Sequence, residues 1–409
     1  MSSLSGRTGR VASWVLLAIT GPSCAVRVGK GPPPPDTNES VGEVNGPSAC
    51  ARIEVERKLA FGGGTTAFAF TWDTNHYVVV YRDPSTGDGD IYVAKIAADG
   101  TALGAAVVVE STPASSDLPT LLKTPSGYLV AWQEGSAGMA VYAHPLGPDA
   151  TPVGSGATIA TTQSSEQARP VLSRAPGGQV AICWMDAFEG KGGVQIAMVD
   201  PSSLQVTGPQ RVAQNDIDGW PWIAGDDTTL GMVWSDKTGG PYDVRFASID
   251  PQSLSPSDAV SLRGLAARDA LLPRLMRTSF GFLSAWEDMR GNDNEIFMAL
   301  TDTSGNKLGG GLVEETNTGD ANWPNMAWDG SAAGVVYYQW RANRPQIFIS
   351  FFDDTGKRAR GLHDLQVSGG TTGWSKYPDI AWTGSEFGVM YIDTRDGAPA
   401  LRFQRIACK

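Results

Sequence analysis

Histidine and cysteine are scarce in this sequence, with three of the first and four of the second among 409 residues. There is no G-x-S-x-G elbow and no H-E-x-x-H pair. Serine-hydrolase and zinc-peptidase chemistry of those types therefore has no linear support. His76, His144 and His363 share no motif or spacing, so surface or turn positions are expected for them and no catalytic residue is assigned. Basic tracts are also missing. Lys and Arg number 32 against 43 Asp and Glu, a formal charge of -11. Such a surface repels phosphate backbones and anionic lipid, which excludes nucleic acid as a partner class. The apolar run "VASWVLLAITG", 11 residues from Val11 to Gly21, is too short to span a membrane as a helix.

Turn formers and tryptophan are abundant instead. Gly occurs 49 times, Pro 26 times and Trp 13 times, a composition that suits many short strands joined by tight turns. The N-terminus reads as an export signal over residues 1–24, with Arg7 and Arg10, the apolar run, and small residues in "PSCA". Removing those two arginines takes -11 to -13. Two processing routes fit, lipidation of Cys24 or ordinary cleavage after Ala25, and Gly21 stands where lipoprotein signals usually carry Leu. Either route places the protein outside the cytoplasm, in the cell envelope or the extracellular space. Residues 25–49 form a Pro/Gly-rich tether with almost nothing to pack a core.

Internal repetition organises the rest. Pro119, Pro170, Pro221, Pro273, Pro324 and Pro378 each open the same pattern, at gaps of 51, 51, 52, 51 and 54 residues. Phe68 opens a seventh copy, one period before Pro119. Each unit runs from a short strand through a turn such as "WDGS" to a second strand that is almost wholly apolar and ends in Trp or Tyr. A turn with Asp two positions later leads to a third strand, and a further turn to a fourth. Four strands in about 50 residues is the measure of a propeller blade. Second strands apolar on both faces suit sheets packed between neighbouring blades. The expectation is an all-β, seven-bladed propeller of four-stranded antiparallel blades over residues 50–409.

Closure follows from the same pattern. The seventh unit supplies only three strands, and "ARIEVERKLAF" from Ala51 is available as its fourth. Cys408 then ends the third strand beside Cys50 at the start of the fourth, which predicts a Cys50–Cys408 disulfide at the ring seam. Cys183, within "AICWMD", is expected as a buried thiol.

The units "PDIAWTGSEFGVMYIDTRDG" and "PNMAWDGSAAGVVYYQWRAN" resemble those of secreted and lipid-anchored bacterial β-propeller repeat proteins, with a likeness over roughly residues 52–408. The resemblance implies a propeller outside the cytoplasm and leaves the activity open. A looser likeness to sialidase-type propellers lacks the S-x-D-x-G-x-T-W box.

The carboxylates of "AWEDMRGNDNEIFMAL" divide by repeat position. Asp288 has counterparts in Asp83, Asp186, Asp236 and Asp393, which marks it as a turn residue. Asp293 and Glu295 are not shared and keep a separate claim. Ca²⁺ is the one cofactor left open, through "STGDGD" and "RGNDNE", although neither has EF-hand spacing. The aromatic residues carry the binding expectation. Trp220, Trp222, Trp323, Trp340, Trp374 and Tyr377, with Asp218 and Arg341 nearby, are predicted on one loop face as a site for a glycan or a surface protein. Packing of these rings around the central channel is the competing expectation. The predicted function is non-catalytic binding by a monomer at the cell surface, tied to the membrane only through an N-terminal lipid. The rivals are a propeller-type glycoside hydrolase or lyase and a purely structural envelope protein.

Overall fold

The computed structural model describes residues 50–408 except 86–88, 136–138, 163–166, 189–190, 215–219, 239, 265–267, 292, 315–318 and 360–363. The signal, the tether and Cys24 therefore lie outside the described residues. Seven four-stranded antiparallel sheets stand in sequence order. In blade 5, for example, the strands are Ala270–Arg277, Phe282–Asp288, Glu295–Thr301 and Lys307–Leu312. The first strands of adjacent blades touch around the whole circuit, including blade 7 against blade 1, so they line the central channel.

The last blade is completed as the sequence implies. Cys50–Lys58 pairs antiparallel with Ala400–Cys408, Cys50 lies directly opposite Cys408, and the two are joined by a disulfide. Cys183 is a buried free thiol. Among the described residues no helix is long and apolar enough to cross a membrane.

Seven hydrophobic clusters fill the seven spaces between blades. Strand periodicity builds them, because successive side chains point to opposite faces. In Gly127–Glu134, Leu129 and Ala131 enter the cluster shared with blade 3. Tyr128, Val130 and Trp132 enter the one shared with blade 1. The aromatic residue ending each second strand is buried in every blade, as Tyr81, Trp132, Trp184, Trp234, Trp286, Tyr337 and Tyr391. At the closing interface Phe70, Tyr77, Val79 and Tyr81 of blade 1 meet Met390, Ile392, Leu401 and Phe403 of blade 7. Gly388 makes room for this contact, since a Cβ there would lie 2.3 Å from the Tyr77 hydroxyl oxygen.

Candidate functional site: the aromatic and arginine cluster of the central channel

The repeat proline creates the site. Leu118, Arg169, Leu272, Trp323 and Tyr377 each precede a repeat proline, and all five have φ between 50° and 58°. In blades 2, 5, 6 and 7 the register of the first strand slips at that point, as between Asn322 and Asn325. A bulge with a left-handed residue is therefore a repeated feature of the channel wall. Such a backbone costs an L-residue about 1–2 kcal/mol. Hydrogen bonds from the preceding blade offset it. Gln133 Oε1 accepts from the Ala168 and Arg169 amides at 3.0 and 3.2 Å. Glu287 Oε1 accepts from the Trp323 amide at 2.8 Å.

The bulges bring the predicted rings together. Trp220 of blade 4 meets Trp323 of blade 6 edge to face, with centroids 4.6 Å apart, across the intervening blade. Trp323 meets Tyr377 of blade 7 at 4.8 Å, and Tyr377 in turn meets Tyr338 and Trp374 at 6.2 and 6.4 Å. Trp340, 40% exposed, joins through Lys376, whose ammonium sits 5.4–5.6 Å from the centroids of Tyr338, Trp340 and Trp374. Trp222 lies beneath the guanidinium of Arg274 at 4.3 Å. These rings pack against one another beside the first strands, and Trp220, Trp222, Trp323, Trp374 and Tyr377 are each partly exposed.

Arg341 is turned to other work. Its Nε donates to Gln339 at 2.7 Å, it pairs with Asp364 at 3.2 Å, and its guanidinium stacks on Phe348. Asp218 lies outside the described residues, as does His363.

The cations of the cluster were not foreseen. Arg169 stacks on Trp220 at 4.4 Å. Arg274, in first strand Ala270–Arg277, lies 5.2 Å from Trp220 and 5.5 Å from Trp323 in addition to Trp222. Rings so placed are cation–π partners. Burial lowers the Arg274 guanidinium to about 10, so it stays charged at neutral pH. Two carboxyl groups face the same region. Burial raises Glu287 to about 7 and Asp379 to about 6, partly countered by hydrogen bonds and the field of Arg274. Asp379 Oδ1 accepts from Asn325 Nδ2 at 2.6 Å. Asp117, in blade 2, is also raised by burial. Asp117 and Asp379 are partly exposed, each on the first strand of its blade. Burial likewise lowers the Lys376 ammonium.

A signal for these residues existed. Position 274 follows the repeat proline, where other blades carry Thr120, Val171, Trp222, Asn325 and Asp379. Position 287 corresponds to Arg82, Gln133, Met185, Ser235, Tyr338 and Ile392. Departure from the repeat, rather than a motif, marks the site.

Asp288 holds its turn, accepting from the Arg290 amide at 2.9 Å, and it also pairs with buried Arg263 at 2.9 Å. Asp83, Asp186, Asp236 and Asp393 accept backbone amides one or two residues on in the same way. Glu295 is buried and raised, opposite Asp288 in the ladder. Among the described residues no group of three or more His, Cys, Asp or Glu is arranged for a metal ion.

No protein-family model matches this chain, and no curated protein matches it. Solved structures do. A protein of unknown function from Dyadobacter fermentans is 12% identical over 88% of this chain and 100% of its own, with a TM-score of 0.54. A PL25 ulvan lyase bound to -[GlcA(1-4)Rha3S]- is 10% identical over 85% and 95%, with a TM-score of 0.57. The phage phi92 endosialidase is 8% identical over 88% and 69%, at 0.50. The likeness is one of fold alone.

Proposed function

We propose that this chain is an exported binding propeller that recognises a glycan at the aromatic mouth of its channel. The observation that carries the reading is the contiguous set of rings from blades 4, 6 and 7. Apolar ring faces beside hydrogen-bonding groups suit the C–H faces and hydroxyls of sugars. The seam disulfide agrees with an oxidising compartment, and the N-terminal segment supplies a route there. Lipidation at Cys24 or cleavage after Ala25, a tether over residues 25–49 and a monomeric state belong to the same reading. A glycan-array screen of the full chain tests it, repeated with Trp340→Ala and Trp323→Ala. Binding that both substitutions weaken supports the proposal, and no binding to any glycan overturns it.

A lyase is the second reading, favoured by one specific observation. Arg274 feels the fields of Glu287 and Asp379, two carboxyl groups that burial raises to about 7 and about 6. Proton abstraction beside a charge-neutralising cation needs groups of this kind. The ulvan lyase among the solved structures shares the fold. Appearance of an unsaturated uronate chromophore on incubation with uronate polysaccharides would establish this reading over the first.

A further inference from the structure

Among the described residues, the buried arginines Arg263 and Arg402 are paired and Arg274 is not. Arg263 binds both oxygens of Asp288 at 2.9 Å. Arg402 contacts Glu56 at 3.1 Å and Asp396 at 2.8 Å. Arg274 is 2% exposed and makes no ion pair among the described residues. Its Nη1 donates to the Pro273 carbonyl at 3.2 Å, and its Nε has no acceptor. Nη2 makes no hydrogen bond among the described residues either. An enclosed guanidinium left unpaired costs several kcal/mol, and such a group calls for a partner.

The rings determine where that partner comes from. Trp220, Trp222 and Trp323 surround the guanidinium, which favours approach in its own plane. The Nε and Nη2 donors lie side by side on one edge of that plane, a fork matched to two oxygens of a carboxylate or sulfate. Glu287 and Asp379 act on Arg274 through space without contacting it, each having spent an oxygen on the Trp323 amide or on Asn325. The Trp220 indole Nε1, beside Arg274, is also buried without an acceptor. Two orphaned donors thus stand together at one end of the aromatic cluster.

We propose that the Nε–Nη2 edge of Arg274 anchors an oxyanion of an acidic glycan, a uronate carboxylate or a sulfate ester. The proposal rests on the glycan reading above and adds the chemical class. The charge of -11 does not oppose it, because exposed charges beyond a Debye length of about 8 Å are largely screened at physiological salt. A trapped water bridging Arg274 to Glu287 would satisfy the same donors, and it is the alternative that the test excludes.

The test is calorimetric titration of the full chain with trigalacturonate, a sulfated heparin tetrasaccharide and neutral galactotriose at one ionic strength. One acidic probe should bind at least about tenfold more tightly than the neutral one, the scale of a charge-assisted fork. The better acidic probe identifies the anion. Arg274→Lys keeps the charge and removes the fork, so it should bring the affinity for the acidic probe down to that for galactotriose, and an advantage that survives the substitution overturns the assignment. Equal affinities for all three probes overturn the acidic assignment and leave the glycan reading standing. No binding of either acidic probe overturns the acidic assignment, and the glycan reading itself stands or falls with the array. Should Arg274→Lys fail to fold, the Nε–H resonance of Arg274 in the unsubstituted chain decides. It should move on titration with the acidic probe, and a fixed resonance overturns the assignment.

Discussion

At the scale of single residues, identical side chains at one repeat position carry unequal loads. Asp236 accepts the Thr238 amide at 2.6 Å at an exposed turn. Asp288 makes the same turn but is fully buried, pairs with Arg263, and accepts from the Trp286 indole at 3.0 Å. Asp288→Ala should therefore cost about 3–5 kcal/mol, because it leaves the Arg263 guanidinium buried and unpaired. Asp236→Ala should cost about 1 kcal/mol, the loss of a turn hydrogen bond. Urea denaturation of both variants checks this, and equal losses would refute the distinction. The repeat made the shared role of Asp288 legible in the sequence. It hid the load, which depends on Arg263, a residue 25 positions away in the chain. The same logic explains Glu287. Within "AWEDMRGNDNEIFMAL" the sequence singled out Asp293 and Glu295, and it gave no sign that Glu287, next to the shared Asp, accepts the Trp323 amide of the following blade.

At the scale of strands, the sequence predicted blades well because strand period and turn chemistry are local properties. Second strands read as apolar on both faces are those whose side chains alternate between two clusters. The left-handed residue before five of the six repeat prolines was not legible, since a left-handed Leu, Arg, Trp or Tyr has no compositional signature. The bulge sends Trp323 and Tyr377 into the channel, so the site could be predicted as a set of rings but not as a cluster with cations. Element packing also explains why Gly388 sits in a strand. A Cβ there would meet the Tyr77 hydroxyl and, at 2.9 Å, Phe403. Both neighbours are buried at the closing interface. Gly388→Ala should destabilise the protein by about 1–3 kcal/mol through overpacking. Gly384→Ala is a poor control because its φ is 100°, whereas Ala407→Gly in the paired strand tests backbone freedom without a clash. Thermal melts that leave Gly388→Ala at the parental Tm would contradict the packing account.

At the scale of the whole molecule, ring closure and buried carboxyl groups set stability. The Cys50–Cys408 disulfide spans 358 residues of chain and joins the only blade built from both termini. In the loop-entropy model such a bridge stands near the top of a range of about 2–5 kcal/mol. Cys50→Ser with Cys408→Ser should lower stability by that order, and an unchanged denaturation midpoint would show that strand pairing alone closes the ring. Proton linkage gives the last expectation. Burial raises Asp379 to about 6, Glu287 to about 7 and Glu314 to about 8. A raised carboxyl favours the folded state below its unfolded value near 4, and that contribution is lost as pH rises through the folded value. Asp288 is held at about 2 by Arg290 and Arg263 against the opposing effect of burial, so its contribution is present above about 4 and lost only as pH falls below it. The two trends leave a maximum between about pH 4 and 6, and Tm should fall from pH 5 to pH 8. Glu287→Gln keeps the acceptor for the Trp323 amide, as Gln133 does for its own neighbour in blade 3, but removes the ionisation. It should flatten the decline between pH 5 and 8 and leave Tm at pH 5 nearly unchanged. A Tm that rises over that interval in the parental chain would mean that these carboxyl groups are ionised and paired in the folded ring, not held neutral by burial.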